Sequence, residues 1–216
     1  MKGGAAAAVR EGAWREWAEL GVATVYEASG RHGLVDVELT QLIPGSRVAG
    51  PALPVMCGQD DNLMVHACVE QVMPGDVVVL AMPEPAPVAL VGELLATQLK
   101  LRGAAALLVD ASVRDFDELV ALGLPVWTRW VRVRGADKRV VGSVGEPVTI
   151  GGARVRRGDI VVLDRDGAVV VAQERADEVL HAARARAEKE RSMRERLAAG
   201  EISYDIHGLR KVVEGG

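Results

Sequence analysis

Hydrophobic and polar positions change period along the chain, and each change marks an element. The segment "VREGAWREWAELGVATVYEASGR" (residues 9–31) spaces its apolar residues as a helix in two pieces, broken near Gly21. Thr24, with Glu27 three residues on, has the form of a capping box for the second piece. "LIPGSRVAGPALPVMC" (42–57) alternates apolar residues with Gly and Pro and predicts short β-structure. "NLMVHACVEQV" (62–72) has helical spacing and stops at Pro74-Gly75. "PGDVVVLAM" (74–82) and "RRGDIVVLDRDGAVVVA" (156–172) each open with a Gly-Asp turn and run into an apolar strand. The second passes through Asp166-Gly167, a strong hairpin signal.

Between them lies "GELLATQLKLRGAAALLVDASVRD" (92–115). Leu95 and Leu99 share a helix face with Val91 one turn earlier, and Leu94 and Leu101 flank it. Gly103 ends that helix, and the continuous apolar run "AAALLVD" predicts a buried strand. A loop with Arg114 and Asp115 follows, then the helix "FDELVALG" and the strand "LPVWTRWVRVRG". Helix–strand units mixed with hairpins predict an α+β or layered β/β/α domain, not a clean doubly wound sheet.

From Glu174 to Ala199 the pattern turns highly charged, with a thin apolar stripe of Val179, Leu180, Ala183, Ala187, Met193 and Leu197 before Gly200. We therefore expect a domain over 1–173, and over 174–216 a long C-terminal helix and tail that pack on a neighbouring subunit. The alternative is a solvated terminal helix.

Nearly half of the 216 residues are apolar, enough for one sizeable core. Aromatics are scarce, so that core has to be built from Val, Leu, Ile and Ala. A net charge of −4, with no aromatic-studded basic stretch, argues against nucleic acid as a partner. Cys57 and Cys68 form no CxxC pair, and His32, His66, His181 and His207 are too scattered for a zinc-type motif. A single basic residue and the short run Ala5 to Ala8 make neither a signal peptide nor a membrane span. The expectation is a soluble cytoplasmic protein with reduced thiols and no membrane partner.

Chemistry concentrates at the two ends of the 92–115 segment. Glu93 falls in a first helical turn, where the free N–H groups of Glu93, Leu94 and Leu95 and the helix dipole favour an anion. Such an end can bind a substrate carboxylate, and Gly92 allows its close approach. Ligands gather outside the carboxyl ends of strands. A strand returning along its helix puts the Arg114-Asp115 loop on the same side as Gly92. Two accounts of that loop stay open. Asp115-x-x-Glu118 is also a capping-box pattern, with Arg114 a surface partner of Asp117. Alternatively, the arginine fork holds a small anionic substrate while the carboxylate holds a divalent cation, which polarises a carbonyl and stabilises an enolate. A lysine Schiff base is the competing electron sink. None of Lys2, Lys100, Lys138, Lys189 and Lys211 sits in an apolar strand, and Lys100 is on the polar side of its helix, so the metal route is preferred.

"TVYEASGRHGLVD", "DDNLMVHACVEQVMPGDVVVL", "GELLATQLKLRGAAALLVDASVRD", "LPVW" and "VTIGGARVRRGDIVVLDRDGAVVV" together resemble the RraA-like family, from about Val22 to Gly200. That family includes class II 4-hydroxy-4-methyl-2-oxoglutarate (4-carboxy-4-hydroxy-2-oxoadipate) aldolases and the regulator of ribonuclease activity A. The resemblance implies a swivelling β/β/α domain, assembled as a homotrimer or homohexamer with active sites between subunits. It implies that Arg114 binds pyruvate, that Asp115 anchors magnesium or manganese largely through waters, and that main-chain amides of Gly92, Glu93, Leu94 and Leu95 hold the pyruvate moiety. The Glu93 side chain would contact water on the metal. Glu190 is the candidate for a further glutamate supplied by a neighbour's C-terminal helix. Two departures stand out. The family usually has Gly-Asp-Asn where this chain has Asp60-Asp61-Asn62, and Asp-Gly where it has Asp110-Ala111, whose extra methyl is expected to tighten the loop.

The implied activity is metal-dependent aldol cleavage of a 4-hydroxy-2-oxo acid to pyruvate plus pyruvate or oxaloacetate, with oxaloacetate decarboxylation beside it. The rival is a non-catalytic inhibitor of an RNA-degrading enzyme, because a shared fold does not fix function. Glu93, Arg114 and Asp115 favour the enzyme. No glycine-rich loop after a strand supports a methyltransferase.

Overall fold

The computed structural model describes residues 3–215, with side chains from Trp14 onward; Lys2 and the side chains of Ala5 to Ala8 lie outside the described residues. Helix α1 (Gly3–Ala28) is kinked at Gly21, whose φ of 79° only glycine adopts readily. The second piece is capped from far away in sequence: Asp164 Oδ2 accepts the Val22 N–H at 2.9 Å. Thr24 lies inside that piece, so the capping box expected there does not form. Glu27 pairs instead with Arg31 at 3.2 Å.

A two-residue strand β1 (Thr40–Gln41) leads to β2 (Val48–Met56). The Gly- and Pro-rich stretch expected as short β-structure is thus one nine-residue strand, and it changes partners midway. Val48 to Pro51 pair antiparallel with β10 (Ile160–Asp164), whereas Ala52 to Met56 pair parallel with β3 (Val77–Ala81). The changeover at Pro51 joins two layers through one strand, a common way to turn a corner between sheets.

The first layer continues β2–β3–β5–β6 in parallel, with β4 (Ala89–Val91) beside the end of β5 (Ala106–Val113) and β1 on the far edge of β6 (Val126–Val131). Side chains alternate across it, as the two-residue period of a strand requires. Val78, Leu80, Leu107 and Val109 share one core with residues of α2 (Leu63–Cys68), α3 (Glu93–Leu101) and α4 (Phe116–Leu122). Val77, Val79, Ala106 and Leu108 face a second core. That core is closed by β8 (Val148–Ile150), β9 (Ala153–Val155), β10 and β11 (Gly167–Val171). The short β7 (Ser143–Val144) pairs with the end of β2. The β10–β11 hairpin turns at Arg165-Asp166, one residue earlier than the Asp-Gly pair marks, with Gly167 opening β11.

A third core lies on the outer side of the hairpin, where Ile160, Val162 and Val169 meet Trp17, Val22 and Val25 of α1 and Val179 of α5 (Ala176–Ala198). The thin stripe of α5 is therefore used within its own chain. Val179 and Ala183 are fully buried, and Arg184 Nη2 bonds to Glu16 at 2.6 Å. Burying a valine stabilises by roughly 1.5–3 kcal/mol. The expectation of packing on a neighbour narrows to the second half, where Leu197 is exposed. Short helices α6 (Ser203–Ile206) and α7 (Arg210–Val213) end the described chain. No helix among the described residues is long and apolar enough to cross a membrane.

Candidate active site

Strand β4, which the sequence did not announce, brings the two ends of the 92–115 segment together. It runs parallel to β5 with Val91 opposite Val113, so Gly92 and Arg114 leave the sheet side by side. Strand β5 carries an irregularity just before this point. Its register against β6 shifts between Val109 and Ser112, and the Thr128 and Ser112 hydroxyls satisfy the carbonyls of Ala111 and Trp130 there. Bulges of this kind re-aim the residues that follow them. Ala111 is fully buried in the helix-side core, within the strand, so its methyl does not tighten the Arg114 loop.

Asp115 adopts the left-handed conformation (φ 60°, ψ 53°), which only a few non-glycine residues, Asp among them, tolerate. It stands at the N-cap position of α4, and its carbonyl accepts the Leu119 N–H, yet its side chain makes no capping bond. Its Oδ2 instead accepts the N–H of Glu93 at 3.0 Å, and the Arg114 Nε lies 3.7 Å from the same oxygen. The capping-box account of Asp115 and the pairing of Arg114 with Asp117 are thereby set aside. Gly92 makes this possible. A Cβ there would fall 2.4 Å from Asp115 Oδ2 and 3.1 Å from Arg114 Nε, and one at Gly135 would fall 3.0 Å from Arg114 Nη1. The guanidinium thus fits between two glycines.

One of the three amides expected to meet an anion is therefore occupied by Asp115. Those of Leu94 and Leu95 remain in the first turn of α3, where no helical acceptor exists. The Glu93 side chain runs along its own helix, with Oε1 accepting the Thr97 hydroxyl at 2.9 Å. Leu94 is exposed, whereas Leu95 is buried. Gly92, Leu94, Leu95, Arg114 and Asp115 line a cleft of about 210 Å³. Glu190 does not line it. On α5 it pairs with Arg186 at 2.9 Å, beside a separate hollow bounded by Glu16, Gly21 and Asp164.

The cleft has a second wall that sequence reasoning missed: Asn62, His66, Ala136 and Lys138. The loop carrying Lys138 has no hydrophobic period to announce it. Asp61 holds it in place. This buried carboxylate accepts the N–H groups of Arg139 (2.5 Å) and Val140 (3.1 Å) with Oδ2, and that of Leu63 (2.8 Å) with Oδ1. Burial pushes its carboxyl up, but these three N–H groups and the Lys138 charge outweigh it and hold it below the usual carboxylate range. Asp60 has a φ of 56°, a conformation natural to glycine, which accounts for Gly in the related motif and Asp as a tolerated replacement. Desolvation and the Lys138 charge hold the His66 imidazole below its ordinary value. Burial pushes both thiols up to about 12, so neither cysteine supplies a thiolate near neutral pH.

Among the described residues no group of three or more His, Cys, Asp or Glu could by itself hold a metal ion. A magnesium-type site does not need one, because it uses one or two carboxylates and completes its shell with water and substrate oxygens. Asp115 fits that role, since only its Oδ2 is engaged and its side chain is partly open to solvent.

Several known proteins are similar to this chain. A protein of Halalkalibacterium halodurans named "Putative 4-hydroxy-4-methyl-2-oxoglutarate aldolase" is 30% identical over 168 residues, 78% of each chain. A protein of the same name from Burkholderia mallei is 35% identical over 124 residues, 57% of this chain and 74% of its own. The crystal structure of Streptomyces coelicolor RraAS2, described as an unusual member of the RNase ES inhibitor RraA family, superposes with a TM-score of 0.75 at 30% identity. That match covers 83% of this chain and 94% of the other. The model of the RraA-like family, described as Aldolase/RraA, matches residues 22–170, and the chain belongs to that family.

Proposed function

We propose that the chain is a divalent-metal-dependent aldolase that cleaves 4-hydroxy-4-methyl-2-oxoglutarate or 4-carboxy-4-hydroxy-2-oxoadipate and also decarboxylates oxaloacetate. One observation carries this: Arg114 and Asp115 are locked together over Gly92, next to the free amides of Leu94 and Leu95. The Arg114 fork and those amides suit the carboxylate and carbonyl of a 2-oxo acid. Asp115 would hold magnesium or manganese, which when bound supplies Lewis acidity toward the C2 carbonyl and the developing enolate. In the cleavage the C4 hydroxyl loses its proton, the C3–C4 bond breaks, and its electron pair passes into pyruvate enolate, which takes up a proton at C3. Arg114 keeps the enolate's carboxylate in place throughout.

The exposed apolar side chains of Leu94, Val133 and Val141 support a trimeric or hexameric assembly, in which the second half of α5 packs on a neighbour and its Glu190 completes the site. The test is pyruvate release from 4-hydroxy-4-methyl-2-oxoglutarate and from oxaloacetate, with magnesium and after chelation. Release that depends on the metal supports the proposal; none from either substrate under any metal overturns it. The likeness to RraAS2 favours one rival, an inhibitor of RNA cleavage. Assaying a purified RNase E-type enzyme with and without this protein decides that point.

A further inference from the structure

Strand β5 changes partners just before it delivers Arg114 to the cleft. On one side its pairing with β3 ends at Val109, opposite Leu80, and its pairing with β4 starts at Ser112, opposite Ala89. On the other side β5 advances three residues, from Val109 to Ser112, while β6 advances two, from Thr128 to Trp130. Asp110 and Ala111 together therefore face the single residue Arg129, which is the arrangement of a β-bulge. An ion pair spans the bulge itself: Arg129 Nη1 donates to Asp110 Oδ1 at 3.2 Å. The Asp110 side chain is buried, and the Arg129 guanidinium lies over the Trp130 ring, 4.8 Å from its centroid. Neither Asp110 nor Ala111 has a positive φ, so alanine stands here without strain in place of the glycine of the related motif.

Stability does not account for this pair. Burial pushes the Asp110 carboxyl up in spite of Arg129, so the cost of taking the charge out of water outweighs the attraction of the arginine. A buried ion pair of this kind contributes little net stability, and what it supplies is a fixed geometry. Only Ser112 and Val113 separate the bulge from Arg114. Both are paired to β4 and β6, so a direction set at the bulge carries through to the guanidinium. We propose that Asp110 and Arg129 are positioning residues: their ion pair closes the bulge where β5 has no regular partner on either side, and thereby seats Arg114 between Gly92 and Gly135. Neither residue lines the cleft, so the pair acts through Arg114 and not on a ligand. The inference rests on the aldolase reading above for the reaction that Arg114 serves.

Oxamate, an unreactive isostere of pyruvate, tests this without turnover. Asp110→Ala removes the fastener, and calorimetry with magnesium should show about tenfold weaker oxamate binding than in the wild type, as for loss of a group that orients another. Asp110→Asn keeps an oxygen that accepts from Arg129 and should restore most of the affinity. Melting temperatures of both variants should stay near that of the wild type, because Arg129 is partly exposed and can turn to solvent. Arg129→Leu, at the more exposed end of the pair, should repeat the loss of affinity. A crystal structure of Asp110→Ala should show Arg114 drawn off its seat, and the fall in kcat/KM for pyruvate release should match the fall in affinity. Unchanged oxamate affinity in Asp110→Ala and Arg129→Leu, whatever their melting temperatures, would make the pair a structural brace only and overturn the proposal. Weaker binding with Arg114 still in place would overturn it too. If oxamate binding responds as stated but no substrate yields pyruvate, the aldolase reading fails and the positioning role stands. If the wild type and Asp110→Ala release pyruvate equally well, the positioning role fails and the aldolase reading stands. A wild type that neither binds oxamate nor releases pyruvate would overturn both.

Discussion

The carboxylate of Asp115 accepts the backbone N–H of Glu93 at 3.0 Å across 22 positions of sequence, and Gly92 leaves it the room to do so. Loop and helix end are thereby one unit. Gly92 has an extended backbone (φ −124°, ψ −173°) that any residue adopts, so Gly92→Ala should fold. Its new methyl, however, would displace Asp115. We expect a melting temperature near that of the wild type and a loss of about 2–4 kcal/mol of transition-state stabilisation, read as kcat/KM for pyruvate release.

Arg114→Lys keeps the charge and loses the planar fork. The guanidinium is half-exposed, and among the described residues its one ion pair is with Asp115 at 3.7 Å, so folding should be unaffected. Activity should drop by about 2–4 kcal/mol, as for loss of one oxyanion-site donor. Near wild-type turnover would show that the fork is not used.

Asp61→Asn tests the support of the second wall. The amide would set an NH₂ against backbone donors, costing about 1–3 kcal/mol of stability. The sign of the pH effect follows from the lowered carboxyl. Its folded-state value lies below the unfolded one, so its contribution is present above the ordinary carboxylate range and is lost as pH falls through the folded value. The gap in melting temperature between wild type and Asp61→Asn should be widest near neutral pH and close in acid.

The two halves of α5 should respond differently. Ala183→Glu puts an unpaired charge into the core between α1 and α5 and should destabilise the monomer fold. Leu197→Glu alters an exposed position and should leave that fold intact while dissociating the assembly. Light scattering should find three or six wild-type chains. A wild-type monomer at micromolar concentration would contradict the shared site.

Much of this was legible in the sequence because strong periods make elements. The helix after Gly92, the buried strand that follows and the hairpin near Asp166 all carry local signals, and the quoted motifs carried the family. What escaped was set by contacts distant in sequence. Asp164 caps the helix piece for which the local pattern offers Thr24, and a local pattern cannot reveal a partner 142 residues away. The three-residue strand β4 is too short to show a period. Asn62 and Lys138 meet in the cleft because Asp61 ties their two loops together, and neither loop repeats. The capping-box pattern at Asp115 was real as a pattern, yet the side chain serves the other helix.

Asp115→Asn tests the central claim most directly. Asn tolerates the left-handed conformation as well as Asp does, and its amide oxygen can still accept the Glu93 N–H, so shape and fold are preserved and only the charge is removed. Hard divalent cations favour that charge. Magnesium binding by calorimetry, oxaloacetate decarboxylation and melting temperature should be measured on one preparation. The account predicts that metal affinity and pyruvate release both collapse while the melting temperature stays near that of the wild type. Unchanged metal affinity with an unchanged rate would contradict it and leave Asp115 as a structural brace between two helix ends.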